Sequence, residues 1–485
     1  MSIKICLANL PYFPRFGRSA RWQETGRGGS LYYPLWLAYA TALLEQKFEA
    51  KLIDAPALGW NAETVLKYFR KSYFDLIVIE TSFPSLKNDL LLADRIKSVT
   101  GSKVLIVGPP ASVMDKWILN NSQADFVARY EYDFTVMELA ETLHKNKPIA
   151  SIKGISFKGD DGKIIRTPNR PFTTSKDLDR IPFVSSVYKR HLNIKSYFLS
   201  SSLHPEVQIF TGRGCPFQCT FCLWPQTFTG RTPRYRSIGN VVDELEYIRS
   251  ELPSVKEIVF EDDTFSINRN RVRAICKEII RRGLDVTWNC QVRAHLDYET
   301  MKLMKKAGCR LVIVGFESGD ERILKNIKKG ITLRDIKKFS QNAKRAGLLL
   351  HADFIFGLPG ETKESIERTR RLIKEIKPDI LQISVAAPYP GTEFYEWAKS
   401  HGYLTIQDDS FEDYLDEKGH QKCLVSYPDL SAEEIVQAVD ETLKSYYMSL
   451  SYIPLIFRQI CRRKWLDESK RLVKAGLSFV SRYLL

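Results

Sequence analysis

The 485-residue chain predicts an α/β protein in three parts. A doubly wound, Rossmann-like N-terminal domain comes first, a partial (β/α)6 barrel second, and a helical C-terminal region last. Two observations carry this. Short apolar runs of strand length alternate with helical stretches twice, before and after an interval near residues 146–205 that breaks the rhythm. The second series has six such units, where a closed parallel barrel has about eight. The length suits about two to four domains, and 44% hydrophobic with 27% charged residues is an ordinary globular composition.

Residues 1–145 hold the first series. Lys4 to Asn9 reads as a strand, and Pro34 opens an apolar-rich helix that runs to Leu44. Ala50 to Asp54, Asp75 to Glu80, Lys103 to Gly108 and Ala124 to Ala128 follow as strands. Ligands of such sheets lie beyond the strands' carboxyl ends. Here those ends are Leu10 to Tyr12, Asp54 to Pro56, Thr81-Ser82, Gly108-Pro109-Pro110 and Arg129-Tyr130-Glu131. No G-x-G-x-x-G follows the first strand, so a nicotinamide fingerprint is missing.

Residues 146–205 read as a connector. Asp161-Gly162 signals a hairpin, and Asp177 to Phe183 leads on to the next domain. Residues 206–400 form the barrel, where functional groups gather at the C-terminal ends of the strands. Its first strand, Val207 to Phe210, runs through Thr211-Gly212-Arg213-Gly214 into Cys215, Cys219 and Cys222. Three cysteines within eight residues are metal ligands or disulfide partners. A long chain without a secretory signal is no disulfide framework. Structural zinc takes four ligands, and no second Cys or His pair stands nearby. Three thiolates leave one iron of a four-iron cluster open to a substrate or cofactor. A labile zinc site and three ordinary buried thiols are the plainer alternatives.

Residues 401–485 form the third part. Ser431 and Glu434 make a capping box that opens a helix through Tyr447. Beyond it, Arg458, Arg462, Arg463, Lys464, Lys470, Arg471, Lys474 and Arg482 stand among large apolar residues such as Phe457, Trp465, Phe479 and Leu485. Such a segment suits either a helix on an anionic membrane or a lid on the barrel with its charges in water. The net charge of +15 allows nucleic acid, an anionic surface or an acidic substrate. Cys6, Cys276, Cys290, Cys309, Cys423 and Cys461 read as reduced thiols, mostly core filler. Met1 to Leu7 lacks the pattern of a signal peptide, and no run reaches the roughly 20 apolar residues of a membrane span.

The C-x3-C-x2-C spacing, with Phe221 before its last cysteine, resembles the radical S-adenosylmethionine superfamily. The flanking domain resembles the cobalamin-binding branch, which includes anaerobic porphyrin-ester cyclases and hopanoid-type and other methyltransferases. The segment Pro388 to Tyr395 is similar to that branch as well. The resemblance implies a 4Fe-4S cluster on Cys215, Cys219 and Cys222, with S-adenosylmethionine on the open iron. It places Glu261, Asp262 and Asp263 at the cofactor's amino group and Arg293 at its carboxylate. Glu317 and Ser318, between Gly315 and Gly319, fall at ribose and methionine. Gly357 and Pro359, within Phe356 to Glu361, fall at adenine.

Cobalamin is implied beside Thr81, Ser82, Gly108, Pro109 and Glu131, with Tyr130 where the family usually has glycine. The motif D-x-H-x-x-G is absent, so no histidine is expected as lower ligand. The plainer alternative is a Rossmann-like domain that only shapes the substrate pocket. His351 reads as a satisfied core histidine rather than a catalytic base or axial ligand, and no acid or base is assigned.

The activity implied is cleavage of S-adenosylmethionine to a 5′-deoxyadenosyl radical, then methyl transfer from methylcobalamin to an unactivated carbon. Three alternatives stand beside it: radical oxidation or cyclisation without methylation, RNA modification, and a non-enzymatic basic binding protein. RNA methylthiotransferases carry three further N-terminal cysteines, where this chain has only Cys6. The expected partners are a small, lipid-like or otherwise apolar substrate and an electron donor of flavodoxin or ferredoxin type. Nucleic acid is not expected. The expected location is cytoplasmic, with peripheral contact at the inner face of the membrane.

Overall fold

The computed structural model describes residues 3–20, 23–26, 28–406, 411–462 and 464–483. Met1, Arg463 and Leu485, which the sequence reading uses, lie outside these residues, as does the side chain of Arg482.

Seven strands form the N-terminal sheet: β1 (Lys4–Asn9), β2 (Glu49–Asp54), β3 (Leu76–Glu80), β4 (Lys103–Val107), β5 (Phe126–Ala128), β6 (Ile155–Lys158) and β7 (Ile164–Arg166). Their order is β2-β1-β3-β4-β5-β6-β7, and the first five are mutually parallel. Alternate residues of each strand feed separate cores, which is why the runs read as continuously apolar. Ile5, Leu7, Val78 and Leu105 pack with the helices Leu35–Leu44 and Asp133–His144, whereas Cys6, Ala8, Ile77 and Ile106 pack with Ala62–Lys71 and Leu86–Thr100. Gly162, at φ 76°, turns the β6–β7 hairpin, and β6 pairs antiparallel to β5 with Phe157 opposite Phe126. The hairpin of the connector thus continues the N-terminal sheet.

All ten residues of the helix Leu35–Leu44 are buried. It is apolar on every side because the sheet covers one face and the barrel the other. Trp36 and Tyr39 meet the ring of Phe210 at 4.8 and 5.3 Å.

The barrel begins with β8 (Glu206–Ile209). A short ribbon of β9 (Gly212–Arg213) and β10 (Arg234–Tyr235) follows, then β11 (Glu257–Phe260), β12 (Trp288–Val292), β13 (Cys309–Glu317), β14 (Leu349–Phe356) and β15 (Ile380–Val385). Six strands pair in parallel in the order β15-β14-β13-β12-β11-β8, so the wall is open between β15 and β8. Val207, Ile258, Val312, Leu350 and Ala352 belong to the apolar core. By strand alternation, Gln208, Gln291, His351, Asp353 and Gln382 lie on the opposite, inner face.

The open seam is covered by Glu24, Gly26, Gly28, Ser30 and Tyr32 and by the helices Ala432–Tyr447 and Trp465–Tyr483. Ion pairs and hydrogen bonds between the tail and the barrel hold this cover in place. Buried Glu468 accepts from Arg310 Nη1 and Arg471 Nε, each at 2.9 Å, and Arg310 Nε reaches Glu257 at 2.9 Å. Arg458 Nη1 bonds Asp379 at 2.9 Å, Lys464 Nζ bonds the Lys256 carbonyl at 3.0 Å, and the Lys474 ammonium lies 3.8 Å from the Phe198 ring centroid. These contacts match the lid reading of the tail, although its cations are spent on the barrel more than on water.

Candidate active site

The cysteine loop is built by the end of β11. Asp262 accepts from Thr211 N at 2.6 Å and Thr211 Oγ1 at 2.5 Å, while Asp263 accepts from Gly214 N at 2.8 Å. Both carboxylates therefore clamp the chain that enters the loop, in addition to any contact with a ligand. Gly214 is required there: its φ is 87°, and a Cβ would run into the carbonyl of Thr232. Cys215 and Cys219 are buried, Cys222 is half-buried, and none is in a disulfide. Burial, with the Asp263 carboxylate second, pushes the Cys215 thiol up, so a metal would be needed to hold it ionised.

Opposite the cysteines stands a cationic wall. Arg293 Nη1 lies 3.7 Å from Cys219 Sγ, its guanidinium stacks 3.6 Å from the Phe217 centroid, and Nη2 donates to the Lys329 carbonyl. Lys329 Nζ bonds Glu317 Oε1 at 2.7 Å and sits 5.9 Å from the Phe221 ring. The Glu317 carboxylate holds Lys329 above its ordinary value against a burial that alone would lower it. Glu317 itself adopts φ 69°, a strained backbone for a non-glycine residue. Gly315 leaves room for this pair, since a Cβ would collide with the Glu317 carboxylate. Ser318 Oγ is 3.4 Å from Thr369 Oγ1, and Gly319 N donates to that hydroxyl at 2.8 Å.

The segment after β14 is held from several sides. Glu361 accepts from Gly357 N at 2.8 Å, Tyr427 OH donates to the Gly357 carbonyl at 2.7 Å, and Asn326 Nδ2 donates to the Pro359 carbonyl at 2.9 Å. Lys329, Asn326 and Tyr427 were not singled out in the sequence. Nothing in their spacing links them to the motifs they support.

His351 departs from the expectation of a satisfied core histidine. Its Nε2 is 3.1 Å from Asp353 Oδ1, off the line of a hydrogen bond, and neither ring nitrogen has a partner.

At the N-terminal strand ends, buried Arg18 bonds Asp89 Oδ1 at 2.5 Å and Asn9 Oδ1 at 2.8 Å. Asp54 accepts from Tyr197 OH at 2.7 Å, and Glu80 accepts from Ser19 Oγ at 3.1 Å. Thr81 and Ser82 are fully buried, with Ser82 Oγ 2.7 Å from Ser85 Oγ. Gly108 has φ 115°, and a Cβ there would strike the Thr81 carbonyl; Pro109 starts the helix Pro109–Val113. Tyr130 has φ 61°, the left-handed geometry that glycine adopts most readily. Glu131 Oε2 accepts from Arg234 Nη1 and Thr173 Oγ1, each at 2.7 Å. Its Oε1, like Gln23 Nε2 and Thr229 Oγ1, is buried without a partner.

Burial pushes Glu80 up to about 7. The folded state therefore keeps a proton that the unfolded chain releases near pH 4.5, and stability is lost as pH rises from there through 7. The expected loss is about 3 kcal/mol. Denaturant titrations across this range check it, and Glu80→Gln should flatten the slope.

A cavity of about 420 Å³ fills the barrel seam, lined by Ile383, Gln382, His351, Leu472 and Phe479 among others. A small void of about 20 Å³, lined by Trp36, Gln208, Trp224, Glu261 and Asp263, lies against the cysteine loop; Tyr32 lines both.

Among the described residues, no three His, Cys, Asp or Glu converge on a point where one metal ion could sit. A cubane cluster spreads its thiolates more widely than a single ion does. Three cysteines in one loop, with Arg293 beside Cys219, suit such an anionic cluster. The orphaned Gln23 Nε2, Glu131 Oε1 and Thr229 Oγ1 suit a ligand rich in amide groups at the junction of the domains.

The model of the radical SAM superfamily matches residues 209–373. An uncharacterized methyltransferase of Pyrococcus horikoshii is 32% identical over 374 residues, covering 76% of this chain and 79% of that protein. The anaerobic magnesium-protoporphyrin IX monomethyl ester cyclase of Rubrivivax gelatinosus is 24% identical, over 91% of this chain and 79% of its own. Among solved structures, the radical S-adenosylmethionine methyltransferase TsrM of Kitasatospora setae, with cobalamin and a [4Fe-4S] cluster bound, superposes with a TM-score of 0.73. It covers 99% of this chain and 100% of its own at 18% identity, and so shows a shared fold.

Proposed function

We propose, because the chain belongs to the radical S-adenosylmethionine superfamily, that it is a cobalamin-dependent methyltransferase acting on a small molecule. The observation that carries this is the loop of Cys215, Cys219 and Cys222 at the C-terminal rim of an open barrel, with Arg293 against Cys219 and Lys329 bonded to Glu317. Cys215, Cys219 and Cys222 would hold the cluster. Arg293 and Lys329 offer cations to the cofactor's carboxylate, and Glu317 an acceptor to its hydroxyls or amino group. Gly357 and Pro359 would present a fixed backbone to adenine. The strand ends Thr81, Ser82, Gly108 and Pro109, with Glu131, Gln23 and Thr229, would hold cobalamin without a histidine ligand from that domain. When bound, these groups supply a carbon-centred radical and a methyl donor. The protein's own share is to bind, orient and exclude water.

Product analysis tests the reading. Methyl transfer yields both 5′-deoxyadenosine and S-adenosylhomocysteine from S-adenosylmethionine, whereas radical cyclisation or oxidation yields the first without the second. Formation of 5′-deoxyadenosine alone, with the substrate in place, would assign the chain to the cyclase-type outcome.

Peripheral membrane contact is part of the proposal. No helix of the described residues is long and apolar enough to cross a membrane. Yet Ile453, Phe457, Trp465, Leu466, Val473 and Leu477 are exposed on the C-terminal helices, Leu477 at 67%. Such residues beside Lys470 suit an anionic bilayer and an apolar substrate taken from it. The combined change of Phe457, Leu466 and Leu477 to Ser should weaken binding to anionic vesicles by about tenfold or more. Equal sedimentation of both proteins would leave only the lid role. An acidic one-electron donor of flavodoxin or ferredoxin type suits the +15 charge.

A further inference from the structure

The seam cavity and the exposed apolar residues of the tail meet at one place. The cavity, of about 420 Å³, falls in the usual range for small-molecule sites, roughly 300–1,000 Å³. Ile383 of β15, Leu443, Ile456, Leu472 and Phe479 give it an apolar wall. The charged groups on that wall are already engaged within the protein. The Arg471 guanidinium bonds Glu468, the Ser200 carbonyl and Gln459, and Glu24 accepts from Gln421 N at 2.9 Å. The hydroxyls of Tyr447 and Tyr452 donate to the carbonyls of Leu381 and Asp379, and the ring nitrogens of His351 are closed off. A wall of this kind suits hydrocarbon, because a polar ligand would give up water for little in return.

The mouth of the cavity is apolar too. Met448 and Val480 line it, yet they are 61 and 39% exposed, so they stand at its opening. Val480 also ends an exposed stripe on the helix Trp465–Tyr483, where Leu466, Val473, Leu477 and Val480 recur at helical spacing. Leu450 and Ile453, which follow Met448 along the chain, are exposed as well. Exposed apolar residues gathered in this way mark a surface that another apolar body covers. Here the same surface runs into the cavity, so a ligand leaving a bilayer would reach the cavity along it without crossing water. Tyr32 lines both the cavity and the small void against Asp263, which brings the cavity within one side chain of the cysteine loop's surroundings.

We infer that the seam cavity seats an aliphatic chain of the substrate, and that this chain enters from a bilayer past Met448 and Val480. The chain lies along Ile383, Leu472 and Phe479, and burial of its CH2 groups supplies the affinity. The inference names the substrate class for the reading above, a molecule with a long hydrocarbon chain, and rests on that reading. No catalytic part is assigned to any residue of the cavity.

The test uses the full chain, with n-hexanol and n-octanol as probes and vesicles of phosphatidylcholine and phosphatidylglycerol. In calorimetry the wild type should bind n-octanol about fifteenfold more tightly than n-hexanol, as two more buried CH2 groups predict. Ala475→Trp sets an indole into the cavity from a half-buried helical position and should weaken n-octanol by about tenfold. Leu472→Asn, a smaller change on the same wall, should weaken it by about fivefold. Both variants should still sediment with the vesicles. Phe457, Leu466 and Leu477 changed together to Ser should do the reverse, losing vesicle binding while n-octanol affinity holds within about twofold. No gain from n-hexanol to n-octanol, or n-octanol binding that both cavity variants leave unchanged, overturns the cavity assignment. Wild-type protein that stays off the vesicles overturns entry from a bilayer. So does a wild-type dimer that the triple Ser variant dissolves, because a second copy would then cover the stripe. Formation of 5′-deoxyadenosine on the same preparations tells the failures apart. With it present, a lack of n-octanol binding counts against the cavity alone; with it absent, the functional reading fails whatever the alcohols do.

Discussion

Alanine at Cys215, Cys219 and Cys222 together is expected to reduce reductive cleavage of S-adenosylmethionine to the level of buffer and to remove the iron from the purified protein. The three thiols supply every protein bond to the proposed cluster, and no other cysteine of the chain lies in that loop. The fold should survive, because the loop is held by Asp262, Asp263 and Arg271 rather than by the thiols. Arg293→Met keeps the bulk of the neighbouring side chain but withdraws its charge from Cys219. Its expected cost is smaller, about ten- to a hundredfold. Chromatographic assay of 5′-deoxyadenosine and iron analysis of each variant check both. Cleavage by the triple variant would place the cluster elsewhere.

The second large effect is on stability. Arg213 is buried at the joint between the two halves of the molecule, two residues before Cys215. Its Nη1 and Nη2 bond Asp133 at 2.7 and 3.2 Å, and its guanidinium lies 4.2 Å from the Trp36 centroid. Asp133, with the nearby Glu131, holds that guanidinium firmly charged against the cost of burial. Asp133→Ala leaves the cation buried and unpaired, which should cost about 3–5 kcal/mol. Denaturant unfolding measures it. The cysteine loop should loosen with it, so iron retention should fall in the same variant. A loss below about 1 kcal/mol, the range of exposed pairs, would mean that the joint is open to water in solution.

Much of the fold could be read from the chain because its strands are buried on both faces. Ile77 and Val78 fill different cores, so the run has no polar face to confuse it with a helix. The cysteine loop was equally legible, since its cysteines are close in sequence and its glycines mark the turn. What could not be read depends on partners distant along the chain. Asp262 and Asp263 look like ligand contacts at a strand end, but their carboxylates meet backbone across 49 and more residues. Lys329 sits in an ordinary basic stretch and gains meaning only when it bonds Glu317. The hairpin near Gly162 gave its turn but not its neighbour, because register with Phe126 is a tertiary property. The tail's basic and apolar residues could be read from the sequence, but not which of them meet the barrel. Arg458 reaches Asp379 of the barrel and Glu468 accepts from the barrel's Arg310, while Phe457, Leu466 and Leu477 are exposed and Leu472 and Phe479 line the seam cavity.

Cofactor content of the anaerobically purified full chain tests the central claim most directly. Iron, sulfide and corrin are measured per chain, together with the electron paramagnetic resonance of bound cob(II)alamin. The account predicts iron and sulfide in equal amounts, about four of each per chain, with a stoichiometric corrin that shows no nitrogen splitting from a protein ligand. Zinc in place of iron and sulfide would contradict the cluster. A chain that takes up the cluster but no corrin would contradict cobalamin-dependent methyl transfer.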